Sequence, residues 1–361
     1  LDAGGVEQST LEIAGALVRA GHRAIVVSAG GRLQAPLEAA GAEHIRLDIG
    51  RKSPLSLRHV PALRRLFRER GADIVHARSR LPAWLGWLAL RGMPEAARPR
   101  FVTTVHGLNS PSRYSAIMAR GERVVCVSDS VRAHVLRHYP ATDARRLRVI
   151  PRGIDPAAFP RVAGRDPAAR AAIAEAHPAL GGEGPLLLLP GRGTRLKGHA
   201  DAIGLVARLR AGGQDARLWM PGAVQDGRDA YLGELQRLAA DAGIDEALAM
   251  TEPTGGMAAA YAASDLVLQL SRKPEAFGRT VVEALAVGRP VLGWAHGGVG
   301  ELLAELQPAG AVPPFDAAAL SVAAGRLLAH PPQPPATMPY TLAAMQQATL
   351  ALYGEMVGDA G

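Results

Sequence analysis

Residues 274–301 read PEAFGRTVVEALAVGRPVLGWAHGGVGE, with Glu275 and Glu283 on either side of Gly278. The pattern predicts a loop that leads through Ala276, Phe277, Gly278, Arg279 and Thr280 into a helix over Thr280–Val287. A strand follows over Pro290–Trp294. The free N–H groups and positive end of such a helix start can hold a diphosphate, and a glycine there leaves room for close approach. Glu275, in the loop, can accept hydrogen bonds from sugar hydroxyls. Glu283, inside the helix, can take the vicinal hydroxyls of a ribose, because a carboxylate has two acceptor oxygens and no donor. A lone acidic residue early in a helix needs no ligand, since the helix dipole favours it there; the weight lies in what accompanies it.

Outward from this stretch, short apolar β-rich runs alternate with helical ones. Strands are expected at 24–28, 74–77, 101–105, 124–127 and 148–151, then at 186–190, 217–221, 248–251, 266–270, 290–294 and 310–312. This alternation predicts an α/β fold of parallel sheets covered by helices on both faces. Between the two series, RGIDPAAFPRVAGRDP has the Pro and Gly content of a linker. The 361 residues suffice for two domains of ordinary size.

No apolar run approaches the roughly 18 residues needed to cross a bilayer, and no signal peptide is visible at the start, so a cytoplasmic location is expected. The single Cys126 lies in RVVCVS and reads as a buried small hydrophobe rather than a nucleophile. Charge is unevenly divided: residues 1–150 hold 24 Lys plus Arg against 12 Asp plus Glu, net +12, and residues 151–361 hold 17 against 21, net −4. The first half is built to meet something anionic. Density peaks in residues 51–71, where Leu63, Leu66 and Phe67 can form an apolar stripe beside Arg64, Arg65, Arg68 and Arg70. It continues to Trp84 and Trp87 among further arginines. Such segments suit an anionic membrane surface, and equally suit ordinary helices with arginines in water. A nucleic-acid partner is not expected, because the second half is acidic and no aromatic platform for stacking bases is visible.

The order PEAFG, EALAVGRPV, GGVGELL resembles the donor-site signature of the family 4 retaining glycosyltransferases, whose two Rossmann-like doubly wound parallel-sheet domains face a central cleft in the architecture called GT-B. Four further elements fit in order: GGVEQ at Gly4–Gln8, VHG at Val105–Gly107, VIPRGID at Val149–Asp155 and GRGTRLKG at residues 191–198. Arg152 stands where the family commonly has Asn. The resemblance implies an acceptor-binding domain over 1–155, a nucleotide-sugar-binding domain over 156–340 and a closing helix over 341–361 that returns to the first domain. A Rossmann half normally has a strand before its glycine loop. A leading strand is therefore expected to be missing from the 361 residues, the alternative being a first sheet that lacks one.

The resemblance also assigns roles. Arg192 and Lys197 would contact the donor diphosphate; with Glu275 and His106 they form the expected catalytic set. His106, after the strand FVTTV, would lie near the transferred sugar. Gly4, Gly5, Gly222, Thr254, Ala276, Phe277, Gly278, Arg279, Thr280 and Glu283 complete the donor side, with Ser128, Glu252, Pro253, Gly297 and Gly298 as weaker candidates and Glu301 as structural. His76, Arg78, Arg80 and His106, at strand ends, are the acceptor-side candidates. No cofactor and no metal are expected, because the chain has no Asp-x-Asp pair and no tight His/Cys cluster; leaving-group charge would then be met by Arg192, Lys197 and the helix start. The activity implied is transfer of a hexose from a nucleotide-diphosphate sugar to a lipid-linked or lipopolysaccharide-core acceptor at the inner face of a bacterial membrane. A nucleotide-sugar epimerase, or a transferase with a soluble acceptor, is the alternative.

Overall fold

The computed structural model describes Leu1 and residues 4–358; Asp2, Ala3 and 359–361, which the expected domain ranges include, lie outside the described residues. The chain divides into two compact units, one of Leu1–Arg152 with Leu342–Gly361, the other of Gly153–Thr341.

The second unit is a single parallel sheet of six strands, β7 (Leu186–Leu188), β8 (Arg217–Pro221), β9 (Leu248–Thr251), β10 (Leu266–Gln269), β11 (Val291–Trp294) and β12 (Ala311–Val312). Its order is β12-β11-β10-β7-β8-β9. Leu186, Leu187 and Leu188 of central β7 are wholly buried, because helices cover both faces and a parallel strand in that place must be apolar throughout. In this doubly wound order successive strands are added outward in opposite directions from the β7–β10 neighbours, and ligands gather in the crevice beyond the carboxyl ends of the strands at such a switch. The two loops that leave those ends are the GRGTRLKG loop and the loop that holds PEAFG. The helix after the second loop, Arg279–Val287, stops at Gly288, whose φ of 91° suits glycine in the left-handed region.

The first unit has β1 (Ile25–Ser28), β2 (Glu43–Arg46), β3 (Ile74–Ala77), β4 (Arg100–Val105), β5 (Arg123–Cys126) and β6 (Leu147–Val149). All pairings are parallel, but the strands form two sheets, β1-β2 and β3-β4-β5-β6. The sequence reading missed β2: three of its four residues, EHIR, are polar and none is buried, so no apolar run marks them. Between β1 and β3 lies a slot of about 400 Å³ lined by Val26, Val27, Ile74, Val75, Leu66 and Phe67, among others. A parallel strand in that slot would give the unit the same doubly wound order as its neighbour. The helix Leu342–Gly358 packs on this unit: Met345, Leu352 and Met356 share a core cluster with Ile13, Val102, Val125 and Ile150. Gln346 Nε2 also donates to the Glu12 carbonyl at 3.0 Å.

Candidate functional site

In the second unit the two loops at the switch meet through one ion pair. Lys197 Nζ donates to Glu275 Oε1 at 2.5 Å. Ser271 Oγ donates to the same oxygen, and Gln269 Nε2 donates to Oε2 at 3.1 Å. Glu275 is thus fixed by a cation, a hydroxyl and an amide, and a carboxylate so held keeps lone pairs for a further hydroxyl. Lys197 can stand there because Gly198, at φ 77°, brings the loop hard against β10: a Cβ at Gly198 would lie 2.1 Å from the Leu270 carbonyl oxygen. Arg192, from the same loop, is exposed, and its guanidinium makes no bond with the described residues.

The helix start beside Glu275 is open. Gly278 is the N-cap with φ 121°, and no side chain caps the helix; the first amide closed back on Gly278 is that of Val281, at 3.0 Å. The amides of Arg279 and Thr280 therefore supply the donors an anion needs. A Cβ at Gly278 would lie 3.0 Å from Val299 Cγ2. Gly297 and Gly298, the GG of the sequence signature, let the next helix begin against residues 274–277: a Cβ would meet the Glu275 carbonyl oxygen at 2.6 Å from Gly297 and the Phe277 carbonyl oxygen at 2.5 Å from Gly298. Their role is to shape the loop. Phe277 itself is buried, its ring against Tyr340 at 5.6 Å, so it offers a ligand backbone only.

Glu283 has two protein partners. Both its oxygens are already engaged, Oε2 by the Tyr261 hydroxyl at 2.8 Å and Oε1 by Arg279 Nε at 3.1 Å. Burial, and then the Glu283 charge, push the Tyr261 phenol well above its usual range, so it stays a donor. Each oxygen keeps a lone pair for a ribose hydroxyl, as in Glu275, and Arg279 is tied to Glu283 through Nε. Sequence pattern does not reveal Tyr261, because its partner is 22 residues away. Gly222 follows β8 at φ 86°, and a Cβ there would lie 3.0 Å from the Gly191 carbonyl oxygen, so the loops after β7 and β8 are neighbours. Thr254 Oγ1, after β9, accepts from the Gly256 amide at 3.0 Å; Glu252 and Pro253 are exposed beside it.

The remaining candidates lie in the first unit. Gly4 and Gly5 form the uncapped start of the helix Gly5–Arg19. His76 is not available as a ligand: Nδ1 bonds the Tyr353 hydroxyl at 2.5 Å and Nε2 bonds Thr104 Oγ1 at 2.6 Å. Burial, with Arg78 and Arg152 adding to it, holds its pKa well below the usual histidine range. Arg80 turns aside onto the Tyr114 ring and Ser115 Oγ. Arg78 Nη1 reaches Thr10 Oγ1 at 3.3 Å, and His106 Nδ1 is 2.5 Å from Arg152 Nη2. Arg152, which the sequence marks only as a departure from the family's Asn, is the residue that reasoning missed. Ser128 is buried and caps the helix Asp129–His138, so it is structural.

The basic segments are mostly ordinary helices. Leu63 and Phe67 are buried and Leu66 half-buried, so their stripe faces the core. Trp84 and Trp87 are half-buried, stacked edge-on at 5.6 Å and covered by Arg91 and Arg120. The exposed apolar residues of the 51–71 segment are instead Leu55 at 70% and Leu57 at 56% exposure, in a short 3-10 helix between Arg51, Lys52 and Arg58. Cys126 is buried, which pushes its thiol up to about 12; it is inert. Among the described residues no helix is long and apolar enough to cross a membrane, and no group of three or more His, Cys, Asp or Glu is placed to hold a metal ion.

Two Rossmann-like units, with a cation–carboxylate pair and an open helix start at the switch point of the second, define a chain of GT-B architecture. Residues 3–158 match the Glycosyltransferase Family 4 domain and residues 173–339 the Glycosyl transferases group 1 domain, so by family the chain is a glycosyltransferase. A glycosyltransferase from Rickettsia africae ESF-5 has a similar structure, with a TM-score of 0.86, 26% identity, and 99% of this chain and 97% of that one covered. Anabaena Alr3699/HepE, crystallised with UDP, shares the fold at a TM-score of 0.75 and 20% identity, over 99% and 95% of the two chains. The D-inositol 3-phosphate glycosyltransferase of Xylanimonas cellulosilytica is 30% identical over 63% of this chain, and the match spans 56% of that relative's length.

Proposed function

We propose that the chain is a retaining, metal-independent glycosyltransferase that takes a hexose from a nucleotide-diphosphate sugar. The observation that carries this reading is the Lys197–Glu275 pair beside the uncapped helix start at Gly278. As the bond from the anomeric carbon to the diphosphate breaks, negative charge gathers on the leaving group. Lys197, Arg192 and the amides of Arg279 and Thr280 stand ready to meet it as preorganised charge. Glu275, oriented by Lys197, Ser271 and Gln269, accepts hydrogen bonds from the sugar and offsets positive charge at the anomeric carbon.

The acceptor we propose is lipid-linked, of lipopolysaccharide-core type, met by the first unit at the inner face of a bacterial membrane. Leu55 and Leu57, exposed among cations, support this, since apolar tips flanked by Lys and Arg suit an anionic lipid surface. The D-inositol 3-phosphate glycosyltransferase relative favours a second reading with a soluble acceptor. The deciding assay incubates the protein with UDP-, GDP- and ADP-sugars, each with and without lipid-linked oligosaccharide acceptors. Release of nucleoside diphosphate that depends on acceptor, with the anomeric configuration kept in the product, is the expected result. Release without acceptor, or sugar isomerisation alone, would overturn it.

A further inference from the structure

We propose that the first unit contains a subsite for an oxyanion, the phosphate or carboxylate of an anionic acceptor, built from Ser9, Arg78, His106 and Arg152. The proposal rests on the glycosyl-transfer reading for the word acceptor, but not for the anion. Arg78 follows β3, His106 follows β4 and Arg152 follows β6, so three carboxyl strand ends contribute. Ser9 comes from the helix Gly5–Arg19.

The bonding around His106 fixes which of its nitrogens bears a proton. Arg152 Nη2 lies 2.5 Å from Nδ1, and a guanidinium can only donate, so Nδ1 accepts. The neutral ring then carries its proton on Nε2. That Nε2 is buried with no partner among the described residues, and so are Arg78 Nε and Ser9 Oγ, the serine being only 1% exposed. All three residues line one small space of about 10 Å³, bordered also by Arg152, His76 and Thr104. Buried donors left unpaired are rare, and three around one space ask for an acceptor atom there. The space fits a single oxygen.

Charge decides what kind of oxygen. The guanidinium groups of Arg78 and Arg152 both act on the rings of His76 and His106, which burial already drives neutral. The charges and hydroxyl that act on Arg78 in return come from Glu12 and Tyr353. Two guanidinium groups, a serine hydroxyl and an imidazole N–H around one oxygen-sized space match an oxyanion better than a neutral hydroxyl, because charge-assisted bonds are the stronger kind.

The test uses the full chain, saturated with UDP so that the groups around Lys197 are occupied, and follows the melting temperature against inorganic phosphate or acetate, with sodium chloride matching ionic strength. Phosphate or acetate should raise the melting temperature of the wild type. Arg152→Asn and Arg78→Met should each need about tenfold more anion for the same shift, the loss of one charge-assisted contact, while their UDP shift stays as in the wild type. Equal anion responses in wild type and variants, or none in the wild type beyond sodium chloride, would overturn the subsite and leave a water in the space. Should a variant fail to fold, the His106 imidazole nitrogen signals of the wild type give the answer: they move with phosphate if the subsite exists and stay still if it does not. Failure of UDP to bind the wild type counts against a uridine donor alone, since the anion arms are compared within one buffer.

Discussion

Lys197 Nζ and Glu275 Oε1 stand 2.5 Å apart, joining two loops that are 78 residues apart in the chain. The pair is three-quarters buried on both sides. Lys197→Ala removes the cation proposed to meet the donor diphosphate and leaves the Glu275 carboxylate with only Ser271 and Gln269. Loss of one charged hydrogen bond, about 1.5–3 kcal/mol, predicts roughly ten- to a hundredfold weaker donor binding by titration calorimetry. Unchanged affinity would remove Lys197 from the site.

Tyr261→Phe deletes the hydroxyl that holds Glu283 Oε2 and leaves the ring in its buried place. A buried carboxylate oxygen that loses its donor costs about 1–3 kcal/mol. The variant should melt several degrees lower, with a fall in donor affinity if Glu283 must be oriented for the ribose. A melting temperature equal to the wild type would show that water replaces the hydroxyl at no cost.

His199 is wholly buried against Tyr231, and burial lowers its pKa to about 4. The unfolded chain, with its histidine near 6.5, binds the extra proton between pH 6.5 and pH 4 while the folded chain does not. Stability is therefore full above pH 6.5 and falls as pH drops through that window. The loss is on the order of 3 kcal/mol at pH 4 from this residue. Urea midpoints of His199→Phe should depend less on pH between 4 and 6.5 than those of the wild type.

Leu55 and Leu57 are the exposed apolar residues in the most basic part of the chain. Replacing both by Ser should weaken sedimentation with anionic vesicles by about tenfold, from the loss of about 1.4 kcal/mol of buried side-chain area. Circular dichroism should be unchanged. Binding that does not differ between anionic and neutral vesicles would argue against the lipid surface.

The strands were legible wherever a run was largely apolar, as in LLLL at 186–189 or LVL at 266–268, because a parallel strand covered on both faces is mostly apolar. β2 was not, since an outer strand carries polar residues. The two loops at the switch point were legible because glycine at positive φ and a helix entrance leave a local pattern. What the pattern could not carry is who holds whom. Glu275 meets Lys197, Glu283 meets Tyr261 and His106 meets Arg152 through tertiary contacts. The basic segment misled for the same reason: the stripe of Leu63, Leu66 and Phe67 turned inward, and Leu55 and Leu57, in the short 3-10 turn at the start of the same segment, took the surface instead.

The slot between β1 and β3 sets a mechanical limit on the first unit. β1 and β2 pair only with each other among the described residues, and a two-stranded ribbon is marginal alone. Behind it sits a small cluster of Ala14, Ala24, Leu37 and Ala42, far less apolar surface than the core under β7. Amide protons of Ile25–Ser28 should therefore exchange through local opening well before those of β4 and β5. Any extended segment that enters the slot would be zipped by both edges at once, slowing that exchange and turning two loosely tied sheets into one cooperative block.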